Sequence, residues 1–261
     1  GTGSLDAFRV TGGQISVQGT GLNAGNVDQV DLIARSVAIN GRLWANAVNV
    51  ITGTNQVDYA NLGVYVIPGD ANRPTVGIDV SNLGGMYANR IRLIGTEAGV
   101  GVRSAGTLAA QAGDFTLDSA GHVALSGTTS ATGAFAMYAA QGIGNTGTAA
   151  AGGSLSATSE GTISNAGALV AGQDLTVAGR SVQSSGTLAA GIDANGNTTR
   201  SGNLTVRGTQ SVASTGQNLA GTRLDVSGGA VSLAGSQARA NGDVALAAQS
   251  GDLDLSGATL A

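Results

Sequence analysis

The chain has no cysteine, only 2 prolines, 3% aromatic residues and 11% charged residues across 261 positions. Each shortage excludes something. Without cysteine there is no disulfide framework and no thiolate metal centre. A chain that crosses an oxidising compartment unfolded cannot be trapped by disulfides if it has no thiols, so the absence also fits export. Scarce aromatics mean that any core is built from Val, Leu, Ile and Ala. Scarce charge by itself would suggest disorder or a membrane protein. Disorder does not fit, because 42% of the residues are apolar and fall in short, evenly spread bursts. A membrane helix does not fit either, because no apolar run reaches about eighteen residues. The basic residues are all arginine and the net charge is −4. With no basic stripe and no basic amphipathic helix, nucleic acid is not an expected partner and neither is a membrane surface. Gly1 to Val10 lack the charged and apolar regions of a signal peptide, as expected of a chain whose signal is removed or of an internal fragment.

Glycine is abundant, with 44 residues, and it punctuates a repeat. The run Gly113-Asp114-Phe115-Thr116-Leu117 returns twenty residues later as Gly133-Ala134-Phe135-Ala136-Met137. It returns again around Leu155 and Leu175, skips over an insertion, and resumes around Leu204, Leu224 and Val244. A second apolar column follows at Val123, Ile143, Ile163, Val182, Val212, Val231 and Leu253. A glycine column follows that, at Gly127, Gly147, Gly167, Gly186, Gly216, Gly235 and Gly257. Each copy reads apolar-x-apolar, turn, apolar-x-apolar, glycine turn. Alternation of this kind is a strand with one buried face, and Gly, Asn, Asp and Ser between strands supply turns. Twenty residues are too few for a helical-hairpin repeat, and the leucine-rich pattern is absent. The period fits one coil of a parallel β-solenoid.

The expected fold is therefore all-β, a right-handed parallel β-helix with coils of about 20 residues. Equivalent residues stack at roughly 4.8 Å, so about a dozen coils make a rod on the order of 60 Å long. Phe115, Phe135, Leu155, Leu175, Leu204, Leu224 and Val244 are expected to form one internal ladder. The polar stretch Gly191 to Arg200 reads as a loop leaving the coil. Residues 1–57 carry the same strand pattern with less regular spacing and read as irregular coils. Residues 58–85 hold both prolines and read as an extra-helical excursion, such as a hairpin over one face, because proline cannot donate to a central ladder. Its Tyr59, Tyr65 and Arg73 form a candidate interaction surface; the alternative is a flap that seals the coil.

Parallel β-helices include polysaccharide lyases and hydrolases, whose sites need clustered carboxylates or metal ligands on one face. Here the acids are scattered. Asp114, Asp174 and Asp243 share a column that elsewhere holds Ala, Ser, Asn or Arg, as a turn position tolerates. Asp252 and Asp254 have the spacing of a calcium site without its glycine-aspartate repeat. His122 stands alone and reads as an exposed turn residue. Gly99-Val100-Gly101 lacks the βαβ context of a dinucleotide fingerprint. Asn23, Asn40 and similar residues read as structural ladders within turns, and Trp44, the single Trp, as a cap on the early core, the alternative being an exposed binding aromatic. No catalytic, cofactor or metal residue is expected, and no cofactor.

Longer segments carry a family likeness. Gly13-Gln14-Ile15-Ser16-Val17, Gly21-Leu22-Asn23-Ala24, Val30-Asp31-Leu32-Ile33-Ala34-Arg35 and Leu43-Trp44-Ala45 resemble the later part of the secretion domain of two-partner-secretion exoproteins. That family includes the filamentous haemagglutinins and the CdiA-type contact-dependent inhibition proteins. Gly84 to Val102 resembles the join from this domain into haemagglutinin repeats, and residues 113–257 resemble the repeats themselves. The resemblance implies residues 1–57 as late secretion domain and 86–261 as haemagglutinin-repeat β-helix. It implies export through an outer-membrane TpsB-type transporter and display at the bacterial surface. It also implies a receptor on a host cell or neighbouring bacterium, engaged through regions outside this chain. The family's early Asn-Pro-Asn secretion motifs are missing here. The expected function is the shaft of a secreted adhesin or toxin-delivery filament rather than an enzyme; the alternatives are a carbohydrate-active β-helix enzyme or a haemolysin of the same secretion class.

Overall fold

Alternating apolar residues at a twenty-residue period dictate a chain that winds rather than folds back, and the computed structural model shows that winding. It describes residues 3–192, 197–199 and 201–261. Every regular element named among them is a strand. One regular coil shows the unit: Phe115–Ser119, His122–Leu125 and Thr128–Ala131 follow each other around the axis. Each pairs in parallel with its counterpart one coil on, Phe135–Ala139, Gly142–Asn145 and Thr148–Ala151. The third of these ladders is an 11-stranded sheet that contributes one strand per coil. Ten rung steps make it about 48 Å long. The first two ladders merge into an 18-stranded sheet, because Leu175–Ser184, Leu204–Ser214 and Leu224–Ser232 run through the bend between them.

The interior is a column of stacked side chains. Ile91 pairs with Phe115, Phe115 with Phe135, and Phe135 with Leu155. The line continues through Leu175, Leu204, Leu224 and Val244. All of these are buried except Val244, which is half-buried in the last full coil. The second apolar column stacks likewise from Val123 to Leu253. Volume is conserved across the bore. The coils that hold Phe115 and Phe135 place Thr129 and Ala149 on the third strand, whereas the coils of Leu155 and Leu175 place Leu169 and Leu188 there. Large is matched with small, which keeps native packing density through a change of side chain. The two phenylalanine rings meet edge to face, with centroids 4.7 Å apart and planes at 67°, a geometry that the ring quadrupoles favour.

Glycine columns set how closely the coils approach. A Cβ on Gly127, Gly147, Gly167, Gly186 or Gly216 would lie 2.0 Å from the carbonyl oxygen of the glycine one coil earlier. None of these five has a positive φ. They are required because backbone packs on backbone at the corner, and that carbonyl accepts the next coil's N–H, as Gly147 accepts from Ala168 at 2.9 Å. The last two of the column differ: Gly235 and Gly257 have φ of +69° and +66°. They are turn glycines in the ordinary conformational sense.

Polar ladders run inside as well. Asn145 Nδ2 donates to Asn165 Oδ1 at 2.8 Å, and Asn165 Nδ2 donates to Ser184 Oγ at 3.1 Å. These stacked amides lie buried at the end of the second ladder. Asn23 and Asn40 do not join such a ladder. Asn23 is exposed and accepts from Gly25 N at 3.2 Å, and Asn40 is also exposed.

Two regions depart from the coil. Asn55–Asp58 pairs antiparallel with Ala7–Val10 on one side and Val64–Val66 on the other, which makes a separate three-stranded sheet. Pro68 and Pro74 lie in the return segment, and Val76–Val80 has already re-entered the coil between Ser36–Ile39 and Gly101–Ser104. The loop after Gly191 begins with an antiparallel bridge from Ile192 to Thr198. It is held down where Asn241 Nδ2 donates to Thr199 O at 2.9 Å. Residues 193–196 and 200 of the expected insertion, and Gly1 and Thr2, lie outside the described residues.

Trp44 corrects an expectation. Leu43 and Ala45 face inward and are buried, so alternation turns Trp44 outward, where it is partly exposed. It stacks on Tyr87 of the next rung, centroids 5.8 Å apart and planes 18° apart.

Candidate functional site

The excursion is where the chain leaves the coil and forms a separate antiparallel sheet beside it. It lies beside the outward side of Ala47–Thr52, with Ala60 to Leu62 next to Asn49; Val48 and Val50 line the bore, yet the outward residues Asn49 and Ile51 are buried too. Its return segment is fastened by one buried arginine. Arg35 sits between the strands Val30–Ala34 and Ser36–Ile39 and is 4% exposed. Its Nε and NH2 donate to the two carboxylate oxygens of Glu97, at 3.1 and 2.8 Å. Its NH1 donates to the Asp70 carboxylate and its NH2 to Asp70 O, at 3.1 Å for the latter. Glu97 therefore belongs to the coil, Asp70 to the excursion, and Arg35 joins them. Arg73 adds a weaker contact, 3.5 Å to Glu97 and 3.3 Å to Ala98 O.

The hydrogen bonds to Glu97 and then Asp70 raise the Arg35 pKa, so it stays charged. The hydrogen bond from Arg35, reinforced by the Asn72 N–H, holds the Asp70 carboxyl below its usual 3.8. A depressed folded pKa contributes stability above the unfolded value and loses it as pH falls through the folded one. Docking of the excursion is therefore constant near neutrality and weakens only below about pH 3.8. Limited proteolysis with an acid-active protease is expected to cut between residues 55 and 74 increasingly as pH drops below that point. In the Asp70→Asn protein the same sites open at neutral pH.

The residues singled out from sequence sit as follows. Tyr59 is 57% exposed and meets Phe8 edge-on at 6.0 Å. Tyr65 is 65% exposed on Val64–Val66, opposite Gln56. Arg73 lies at the Glu97 clamp, and no hydrogen bond or ring contact joins it to either tyrosine. Asp114 and Asp174 each accept a backbone N–H from the next coil, Ala134 N and Asn203 N, both at 2.8 Å. Asp243 lies 3.7 Å from Arg223. Asp254 accepts from Ser256 N at 2.9 Å, which lowers its pKa. Asp114, Asp174 and Asp254 thus bind backbone at turns. His122 is exposed and its ring lies over Gly142 and Gly144 of the following coil. Among the described residues no three His, Cys, Asp or Glu side chains come together as metal ligands would.

The Arg35–Glu97 pair was invisible to sequence reading. Its members are sixty-two positions apart, and a lone Arg after a strand carries no local signal. The outward Trp44–Tyr87 pair could have been found, because both sit at the alternate position of their strands.

Comparison with known proteins agrees with this geometry. Residues 1–125 match the family model described as the TPS secretion domain. The "tRNA nuclease CdiA-2" of Burkholderia pseudomallei (strain 1026b) is 55% identical over 129 residues, 49% of this chain and 4% of that protein. "Toxin CdiA" of Yersinia pestis is 48% identical over 130 residues, again 49% of this chain and 4% of the relative. The "16S rRNA endonuclease CdiA" of Enterobacter cloacae subsp. cloacae is 42% identical over 130 residues, 50% of this chain and 4% of the relative. The chain thus aligns with about 4% of the length of each of these relatives. No solved structure matches it.

Proposed function

Because residues 1–125 belong to the two-partner-secretion exoproteins of CdiA type, we propose that the chain is part of a surface shaft that holds a distal activity away from the cell. Membership in that family makes it a secreted, surface-exposed protein and implies a TpsB-type transporter as its export partner. The single observation that supports the shaft reading is continuity. Third-ladder strands pair in sequence from Leu22–Ala24 to Thr259–Leu260, so the matched half and the repeats form one stack. The change in repeat regularity at residue 86 and the end of the family match at 125 both fall inside this ladder. In this reading residues 1–57 are late secretion domain, 58–85 the excursion together with its return into the coil at Val76–Val80, and 86–261 haemagglutinin-repeat coils.

The chain itself acts mechanically and not as an enzyme. The nuclease and toxin names belong to relatives many times longer. Whether the distal activity is adhesion, growth inhibition or haemolysis lies with regions outside this chain, as does the receptor on a host or neighbouring cell. Phe115, Phe135, Leu155, Leu175, Leu204, Leu224 and Val244 serve as the structural ladder, and the excursion with Tyr59, Tyr65 and Arg73 as a side surface.

Coil stacking also supplies a driving force for export, since each coil that forms outside the membrane prevents back-sliding. Aspartates in place of Leu175, Leu204 and Leu224 would bury unpaired charge and stop stacking. In the full-length protein expressed with its transporter, this triple variant is expected to accumulate inside the cell while the parent is released. Equal release of both would remove folding as the driving force.

A further inference from the structure

A cleft lies where the excursion meets the coil. Its floor is the outward face of Ala47–Thr52, Arg90–Gly95 and Phe115–Ser119, and its wall is the turn Ala60 to Leu62. Arg90 and Arg92 occupy alternate positions of one strand and so point to the same side, about 6.6 Å apart along the chain. Neither makes an ion pair or hydrogen bond within the described residues. The nearest acid on the Arg92 column is Asp31, and it is already engaged. Asn49, the rung between them, donates to Asp31 at 2.8 Å, and Gln29 donates to both its oxygens at 2.9 and 3.0 Å. Two guanidiniums side by side, with Asp114 one rung from Arg90 as the one carboxylate of the lining and no ion pair to it, repel each other, a cost that a bound anion reduces.

The remaining groups define the ligand further. Thr116 lies one rung below Arg92 and presents a hydroxyl. Asn61 spends its Oδ1 on Gly63 N at 2.6 Å, which leaves its amide as a donor. Asp114, one rung from Arg90, commits Oδ1 to Ala134 N and keeps Oδ2 as an acceptor. The set is thus rich in donors for an oxyanion, with one acceptor beside it. The wall is rigid: Asp58 Oδ1 accepts from Ala60 N at 2.8 Å and Asn61 N at 3.2 Å. We propose that this cleft binds a sugar acid, free or as a unit of an acidic polysaccharide, with Arg90 and Arg92 on the carboxylate and Asp114 on a neighbouring hydroxyl.

The test is NMR titration of the arginine Nε–Hε signals of this chain with D-glucuronate, an oligoglucuronate, glucose and inorganic phosphate. Glucuronate is expected to shift the two cleft signals, glucose to leave them, and phosphate to bind several-fold more weakly because Asp114 repels a dianion. Tighter binding of the oligomer than of the monomer marks a polysaccharide as the source; equal binding marks the free sugar acid. Arg90→Gln with Arg92→Gln should weaken glucuronate at least about tenfold with an unchanged melting temperature, whereas Arg42→Gln on another face should not. Phosphate binding as tightly as glucuronate, absence of any shift, or binding that survives the double substitution would each overturn the proposal.

Discussion

Gly167→Ala is expected to unfold the middle of the rod, although it adds a single methyl group. The new Cβ would lie 2.0 Å from Gly147 O, which is backbone and also accepts the N–H of Ala168. Backbone held in a ladder cannot step aside as a side chain can. Relief requires that two coils separate at the corner and give up ladder hydrogen bonds on both sides. Overpacking of this kind costs about 3 kcal/mol or more. The same column supplies its own control. Gly235 has φ +69° and open space where a Cβ would go, so Gly235→Ala should cost only about 1–2 kcal/mol and Gly235→Asn less, since Asn tolerates the left-handed region. Thermal melts monitored by circular dichroism would separate the two. Equal small losses at both positions would mean that the corner is looser than described.

The second large effect concerns whole coils. Removing residues 133–152 joins Thr132 to Gly153 and takes out one complete turn. Phe115 then lies on Leu155, Val123 on Ile163 and Gly127 on Gly167, so every column is restored one rung shorter. The variant should melt cooperatively within a few degrees of the parent, because a solenoid's stability is a sum of coil and nearest-neighbour terms. Removing only residues 133–142 should be ruinous. It brings Asn145 and Gly147 where Phe135 and Met137 belong, which sets a polar amide and a corner glycine inside a strand, and it leaves buried backbone groups unpaired. Loss of the β-sheet circular dichroism signal is expected for the ten-residue deletion and its retention for the twenty-residue one. If both fold or both fail, the coil is not the structural unit.

The fold was largely legible because a β-helix writes its geometry into the sequence as a period. Phe115, Phe135 and Leu155 are twenty apart in the chain and adjacent in space, so a one-dimensional pattern already contains the contact. The glycine column was legible too, but its meaning was not: sequence suggests turns, whereas Gly127 to Gly216 are there for close approach. What does not repeat could not be read this way. The clamp of Arg35, Glu97 and Asp70 joins a coil bend, a later coil and an excursion, and the partners recur nowhere else. Val76–Val80 lies inside a proline-bearing segment, yet it pairs with strands on both sides in the coil. Trp44 misled for a different reason. A single large apolar residue suggests core, but its strand alternates Leu43 in, Trp44 out, Ala45 in, and period decides where hydrophobicity alone does not.

The absence of native cysteine makes the register directly measurable. Thr116 and Ala136 are outward neighbours on adjacent rungs, and Ser156 lies one rung further. Rungs about 4.8 Å apart fall within disulfide reach, and two rungs, about 9.6 Å, do not. The Thr116→Cys, Ala136→Cys protein should therefore form an intramolecular disulfide under mild oxidation while the Thr116→Cys, Ser156→Cys protein stays reduced. A disulfide in the second protein and none in the first would contradict the stacking of twenty-residue coils.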